Sequence, residues 1–244
     1  MTTISRLVPA FALAVALAAA PALAAEDISR VNGGIEVEAG QQAGDLSTVN
    51  GGIRIGEGAR FGDASTVNGG IRAGDRIQGE DLATVNGAIE LGERAEVDAL
   101  ATVNGKISAG PGLRADDDVD SVSGGIFIDR GGYVDSSVST VSGGIGLVAT
   151  EVTGNVHSVS GDITVGIGSH VRGNVEVRKS SGISWIRFGG SERTPRIVIG
   201  PDAVVVGRLE FDREVVLYVH ESARTGAISG ATAIPYSTRR APRD

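Results

Sequence analysis

The sequence contains no cysteine and only three histidines. Disulfides, thiolate nucleophiles, cysteine-bearing zinc sites and the lipidated cysteine of a lipoprotein anchor are therefore excluded. His157, His170 and His220 lie far apart along the chain. No Ser/His/Asp arrangement, zinc spacing or phosphate loop accompanies them, and the glycine-rich stretches lack the Lys-Ser/Thr ending of a phosphate loop. Aromatic residues make up 4% of the chain, with a single Trp, so a ring-paved groove for stacking sugars is missing. Basic residues are also in deficit, 22 against 30 acids, for a net charge of −8. That sign argues against nucleic acid and anionic lipid as main partners.

Long apolar runs are confined to the first residues. Arg6 supplies a basic start, Leu7–Leu23 is a short Ala/Leu/Val run broken by Pro9 and Pro21, and Ala22-Leu23-Ala24 is an A-x-A cleavage sequence. Residues 1–24 read as a secretory signal peptide, and the expected mature chain starts at Ala25. Its removal takes away Arg6 and no acid, moving the charge from −8 to −9. No membrane span is expected in the mature chain. The expected location is periplasmic or secreted.

What the sequence has in abundance is glycine, 37 residues without a collagen triplet. Most of it belongs to a repeat. Val-Asn-Gly-[Gly/Ala/Lys]-Ile opens at Val31, Val49, Val67, Val85 and Val103, and Val-Ser-Gly-[Gly/Asp]-Ile opens at Val122, Val141 and Val159. Steps of 18 or 19 residues with one apolar cluster each fit one coil of a parallel β-helix. In the second coil Ile53 and Ile55 flank Arg54, and Ala59 and Phe61 flank Arg60, the alternation of strands with one buried face. Three strands of about six residues per coil, with coils about 4.8 Å apart, make a three-sided solenoid of about ten coils. Ile35, Ile53, Ile71, Ile89, Ile107, Ile126, Ile145 and Ile163 form one predicted buried column. The glycine after each Asn or Ser is expected at a corner with unusual backbone angles.

The repeat lapses after residue 178. Residues 179–195 read as a loop or hairpin leaving the solenoid, with Trp185 and Phe188 as a candidate contact patch. Residues 196–235 resume as C-terminal coils and cap, with apolar pairs every six residues, and 236–244 read as a loose tail. The run Ile197-Val-Ile-Gly-Pro-Asp-Ala-Val-Val-Val-Gly207 resembles the coils of bactofilins, bacterial polymer-forming cytoskeletal β-helices. The Val-[Asn/Ser]-Gly-[Gly/Asp]-Ile repeats are similar to exported adhesin-type β-helices. The bactofilin resemblance implies a right-handed triangular helix that joins end to end without nucleotide. A signal peptide departs from the usual cytosolic bactofilin.

Three ladders are candidates for function. The first is Thr48/Asn50, Thr66/Asn68, Thr84/Asn86 and Thr102/Asn104, continued by Ser121/Ser123, Thr140/Ser142 and Ser158/Ser160. Counting back from Ile53 turns Val49 inward and the Thr/Asn pair outward. Counting forward from Ala64 gives the opposite, so the parity breaks between them. Outward, the pair is a polar grid suited to a glycan or to ice; inward, it is a structural hydrogen-bonded ladder. The second ladder, Asp45, Asp63, Asp81 and Asp98, followed by Asp116, Asp117, Asp118 and Asp120, is either a set of turn residues or a cation site. The third, Glu36, Arg54, Arg72 and Glu90, offers ion pairs between coils.

No catalytic, cofactor or metal residues are assigned. The expected role is a non-enzymatic structural or adhesive element of a bacterial envelope, with homo-oligomers through the solenoid ends and an envelope polymer as candidate partners. A glycan- or ice-binding face, or a carbohydrate-active enzyme using paired acids, is the alternative.

Overall fold

The computed structural model describes residues 25–179 and 193–242. Residues 1–24, read above as a signal peptide, and the candidate contact residues Trp185 and Phe188 lie outside them. Within them the chain is an all-β parallel solenoid of eleven coils, without an α-helix among the described residues. Two eleven-stranded sheets and one seven-stranded sheet form its three sides. The first sheet runs from Ile28–Asn32 through Leu46–Asn50 and Ala64–Thr66 to Ile228–Ser229. The second runs from Ile35–Val37 and Ile53–Ile55 to Ala233–Tyr236, and the third from Glu96–Val97 to Arg224–Thr225. Bridges from Gln42 through Arg60 and Gln78 to Glu96 extend the third side over the early coils.

The sequence period sets the register. Ile53 pairs with Ile71, Ile71 with Ile89 and Ile89 with Ile107, each one coil apart. The predicted isoleucine column is at most 2% exposed along its length. Each such side chain contributes about 1.5–3 kcal/mol relative to exposure. A single coil has no partner for this apolar side, so stability accrues by stacking. Core packing adjusts locally: Phe61 lies over Gly79, where a Cβ would overlap its ring.

The glycine of the repeat has a different cause from the one expected. Of that column only Gly33 has positive φ, at 102°. From Gly51 onward the reason is close stacking. A Cβ on Gly51, Gly69, Gly87 or Gly105 would overlap the carbonyl oxygen of the glycine one coil earlier. The left-handed corner lies instead between the second and third sheets, at Gly40, Gly58, Arg76, Arg94 and Gly112.

The C-terminal segment is held down rather than loose as far as it is described. Tyr236 is buried and its hydroxyl donates to the Ile199 carbonyl at 3.2 Å. Ala241 packs beside Val198, Tyr218 and Tyr236, and Arg196 donates to the Pro242 carbonyl at 2.5 Å. This segment therefore lies against the outer side of the second sheet.

Candidate functional site

The Thr/Asn ladder divides between the two sides of the wall. Thr48, Thr66, Thr84 and Thr102 are buried, between 2% and 4% exposed. Their Oγ1 atoms donate to the carbonyls of Gly33, Gly51, Gly69 and Gly87 at 2.8–3.1 Å. A buried hydroxyl needs such a partner, and the glycine corner supplies it. Ser121 and Thr140 make the same contact to Gly105 and Gly124. The threonine half of the predicted polar grid is thus part of the wall and unavailable to an ice or glycan lattice.

The asparagines face solvent. Each of Asn50, Asn68, Asn86 and Asn104 donates its Nδ2 to the Oδ1 of the Asn one coil earlier, at 2.9–3.1 Å. Between Thr and Asn stands the motif valine. Val49, Val67, Val85 and Val103 are 38–40% exposed, and Val31, Val122 and Val141 are more so. The count from Ile53 that turned Val49 inward fails because parity breaks at the Gly-Gly corner, whereas the count from Ala64 holds.

This orientation creates a side face that sequence reasoning missed. The outward column of the first sheet is Ser47, Ser65, Ala83 and Ala101, two residues before each valine. Small residues beside a valine ridge leave a shallow trough of about 580 Å³ running along the solenoid from Ser47 to Val141. The second and third sides are different. Glu36, Arg54, Arg72 and Glu90 stack in register on the second, and Arg60, Glu96 and Arg114 lie on the third. From Ser47 to Val103 the trough carries no charge; Asp120 is the first charged residue to line it. The signal was in the sequence as the repeated valine itself, which only the forward count turns outward.

Further along the same side the wall becomes polar. His157 stands between Ser139 and Glu176 in register. Its Nδ1 is buried with no hydrogen-bond partner, and burial, reinforced by the Arg178 charge, lowers its pKa below 6.5. Burial pushes the Glu176 carboxyl upward, but hydrogen bonds from Arg178 and Asn174 outweigh it and leave the pKa lowered. His170 sits on the third side, and His220 on the second bonds Ser222 at 2.8 Å. The three histidines do not converge.

The acidic corners serve the backbone. Asp27, Asp45 and Asp63 each accept the N–H of the aspartate one coil later at 3.0–3.2 Å. Asp118 accepts from Ser136 and Ser137. Among the described residues no group of three or more acids or histidines is placed to hold a metal ion. In the third ladder, Glu90 is bridged by Arg72 at 2.9 Å and by Lys106 at 3.0 Å, and the hydrogen bonds from Arg72 and then Lys106 lower its pKa. These groups are exposed, and such pairs contribute little to stability.

No helix among the described residues is long and apolar enough to cross a membrane. No protein-family model and no curated protein matches the chain. Among solved structures, the chain is similar to a TibC-catalysed hyper-glycosylated TibA fragment. The identity is 11%, coverage is 88% of this chain and 98% of that one, and the TM-score is 0.22. A TM-score that low leaves the reading to the geometry.

Proposed function

We propose that this chain is an exported structural or adhesive rod of a bacterial envelope, acting through stiffness and laterally repeated side chains rather than catalysis. The observation that carries the reading is the uninterrupted in-register stack of eleven coils. At about 4.8 Å per coil it makes a rod roughly 50 Å long with flat sides. The N-terminal sequence supports export. The Asn and Val columns, identical over successive coils, suit contact with a repeating or extended surface.

End-to-end joining is the weaker route for assembly. Inward residues of the second sheet direct their backbone groups to the following coil, as Ile53 donates to Gly70 and Val37 accepts from Gly56. Pro235 takes such a position in the last strand, paired behind it with Val219. It has no N–H to offer an added coil, a common device for blunting an edge.

The test is to express the full chain in a bacterium, fractionate the cells, and mix the purified protein with isolated envelope polymer. The reading expects protein lacking residues 1–24 outside the cytosol and co-sedimentation with the polymer. Retention in the cytosol with an intact N-terminus overturns export. Cleavage of the polymer overturns the non-catalytic role.

A further inference from the structure

The valine side, without charge from Ser47 to Val103, has a shape that its own copy fits. We propose that two copies of this chain associate side by side, first sheet against first sheet, with their solenoid axes parallel. The valine ridge of each then lies in the small-residue column of the other. The inference stands on the geometry of this side and does not require export.

Val49, Val67, Val85 and Val103 project two residues beyond Ser47, Ser65, Ala83 and Ala101, so the side has one high and one low column. A two-fold axis parallel to the solenoid places the high column of each copy on the low column of the other. An antiparallel pair would set ridge against ridge and leave the low columns facing across a gap. The period adds selectivity, since a matching repeat of about 4.8 Å lets every valine find an equivalent seat, as in a dry steric zipper.

Charge points the same way. The molecule is net acidic, so two copies repel on most approaches, and least along the stretch from Ser47 to Val103, which carries no charge. With ridge on trough, Asp120 never faces Asp120. In the ninth coil Glu176 comes opposite Arg178 of the second copy, and vice versa. One coil further Glu210 and Asp212 set like charges opposite each other, so the contact ends there.

Area fixes the strength. Seven valines from Val31 to Val141 span six steps, about 29 Å, and two outward columns about 7 Å apart make a strip about 15 Å wide. That is about 430 Å² per partner, below the roughly 800 Å² of a stable complex and in the range of weak, transient association. A dimer that fills between about 10 µM and 1 mM is expected, reinforced where the chain is locally concentrated.

The experiment is analytical ultracentrifugation of the purified protein and its V67E/V103E variant, with oxidative cross-linking of single-cysteine variants. Val67 and Val103 are exposed, so the charges leave the fold intact, and the native chain has no cysteine to interfere. We expect a concentration-dependent dimer that V67E/V103E weakens at least tenfold. A mixture of A83C and V85C should yield the mixed disulfide well above the statistical half, and V85C alone should link poorly. A monomer at about 1 mM, or a dimer untouched by V67E/V103E, overturns the proposal. Preferential V85C self-linking overturns the parallel arrangement. A chain that stays monomeric but binds dodecyl maltoside micelles through these valines replaces the second copy with an acyl chain.

Discussion

Exchanging the chemistry of two adjacent residues, Thr84 and Val85, tests which of them builds the wall. Thr84 is 4% exposed and donates to Gly69 O at 2.8 Å, whereas Val85 is 38% exposed. Thr84→Val keeps the shape, removes the donor and leaves the Gly69 carbonyl without its partner in a part-buried corner. The lost bond and the unsatisfied acceptor together cost about 1–3 kcal/mol. For a chain of this size each kcal/mol lowers Tm by about 2–4 °C, so a fall of about 2–12 °C is expected. Val85→Thr places a hydroxyl where water reaches it and should change stability by no more than about 0.5 kcal/mol. The assay is urea unfolding followed by circular dichroism at low micromolar protein, where side-by-side pairing is negligible. Midpoints are comparable while the slopes stay equal. A larger loss for Val85→Thr than for Thr84→Val would refute the assignment of inside and outside, and with it the exposed valine ridge.

Neighbouring glycines should respond in opposite ways. A Cβ on Gly143 overlaps the Gly124 carbonyl, whereas one on Gly144 meets Asp162 O at an ordinary 3.5 Å. Gly143→Ala should cost at least about 2 kcal/mol in a thermal melt, while Gly144→Ala should stay within about 0.5 kcal/mol. His157 predicts a pH dependence. Its folded pKa lies below the unfolded 6.5, so the unfolded chain binds more protons between the two values. Stability contributed by neutral His157 is complete above 6.5 and falls as pH drops towards the folded pKa. The loss of Tm between pH 7.5 and pH 5 should be smaller in His157→Gln than in the native protein, a difference that calorimetry measures.

The solenoid was legible because its cause is periodic. Isoleucines at 18- and 19-residue steps have one arrangement in which all are dry together, and Ile35 to Ile163 adopt it. The direction of Thr48, Val49 and Asn50 was not legible. Alternation by twos holds only inside a strand, and the Gly51-Gly52 corner resets it before Ile53. The reason for the glycines was hidden too, since a single coil shows no neighbour for a Cβ to strike. Anchoring of the C-terminal segment depends on Arg196, Tyr218 and Tyr236, which meet across successive second-sheet strands and share no period. The valine trough lay within the very motif that revealed the fold, where two counts gave the valine opposite directions.

Because the backbone ladders join each coil to the one before and the one after, the stack under tension yields coil by coil. Pulled from one terminus, it should peel like thread from a spool. One turn of 18 residues releases up to about 60 Å of extended chain while the remainder stays wound. A tether built this way yields in measured increments and can rewind when the load drops.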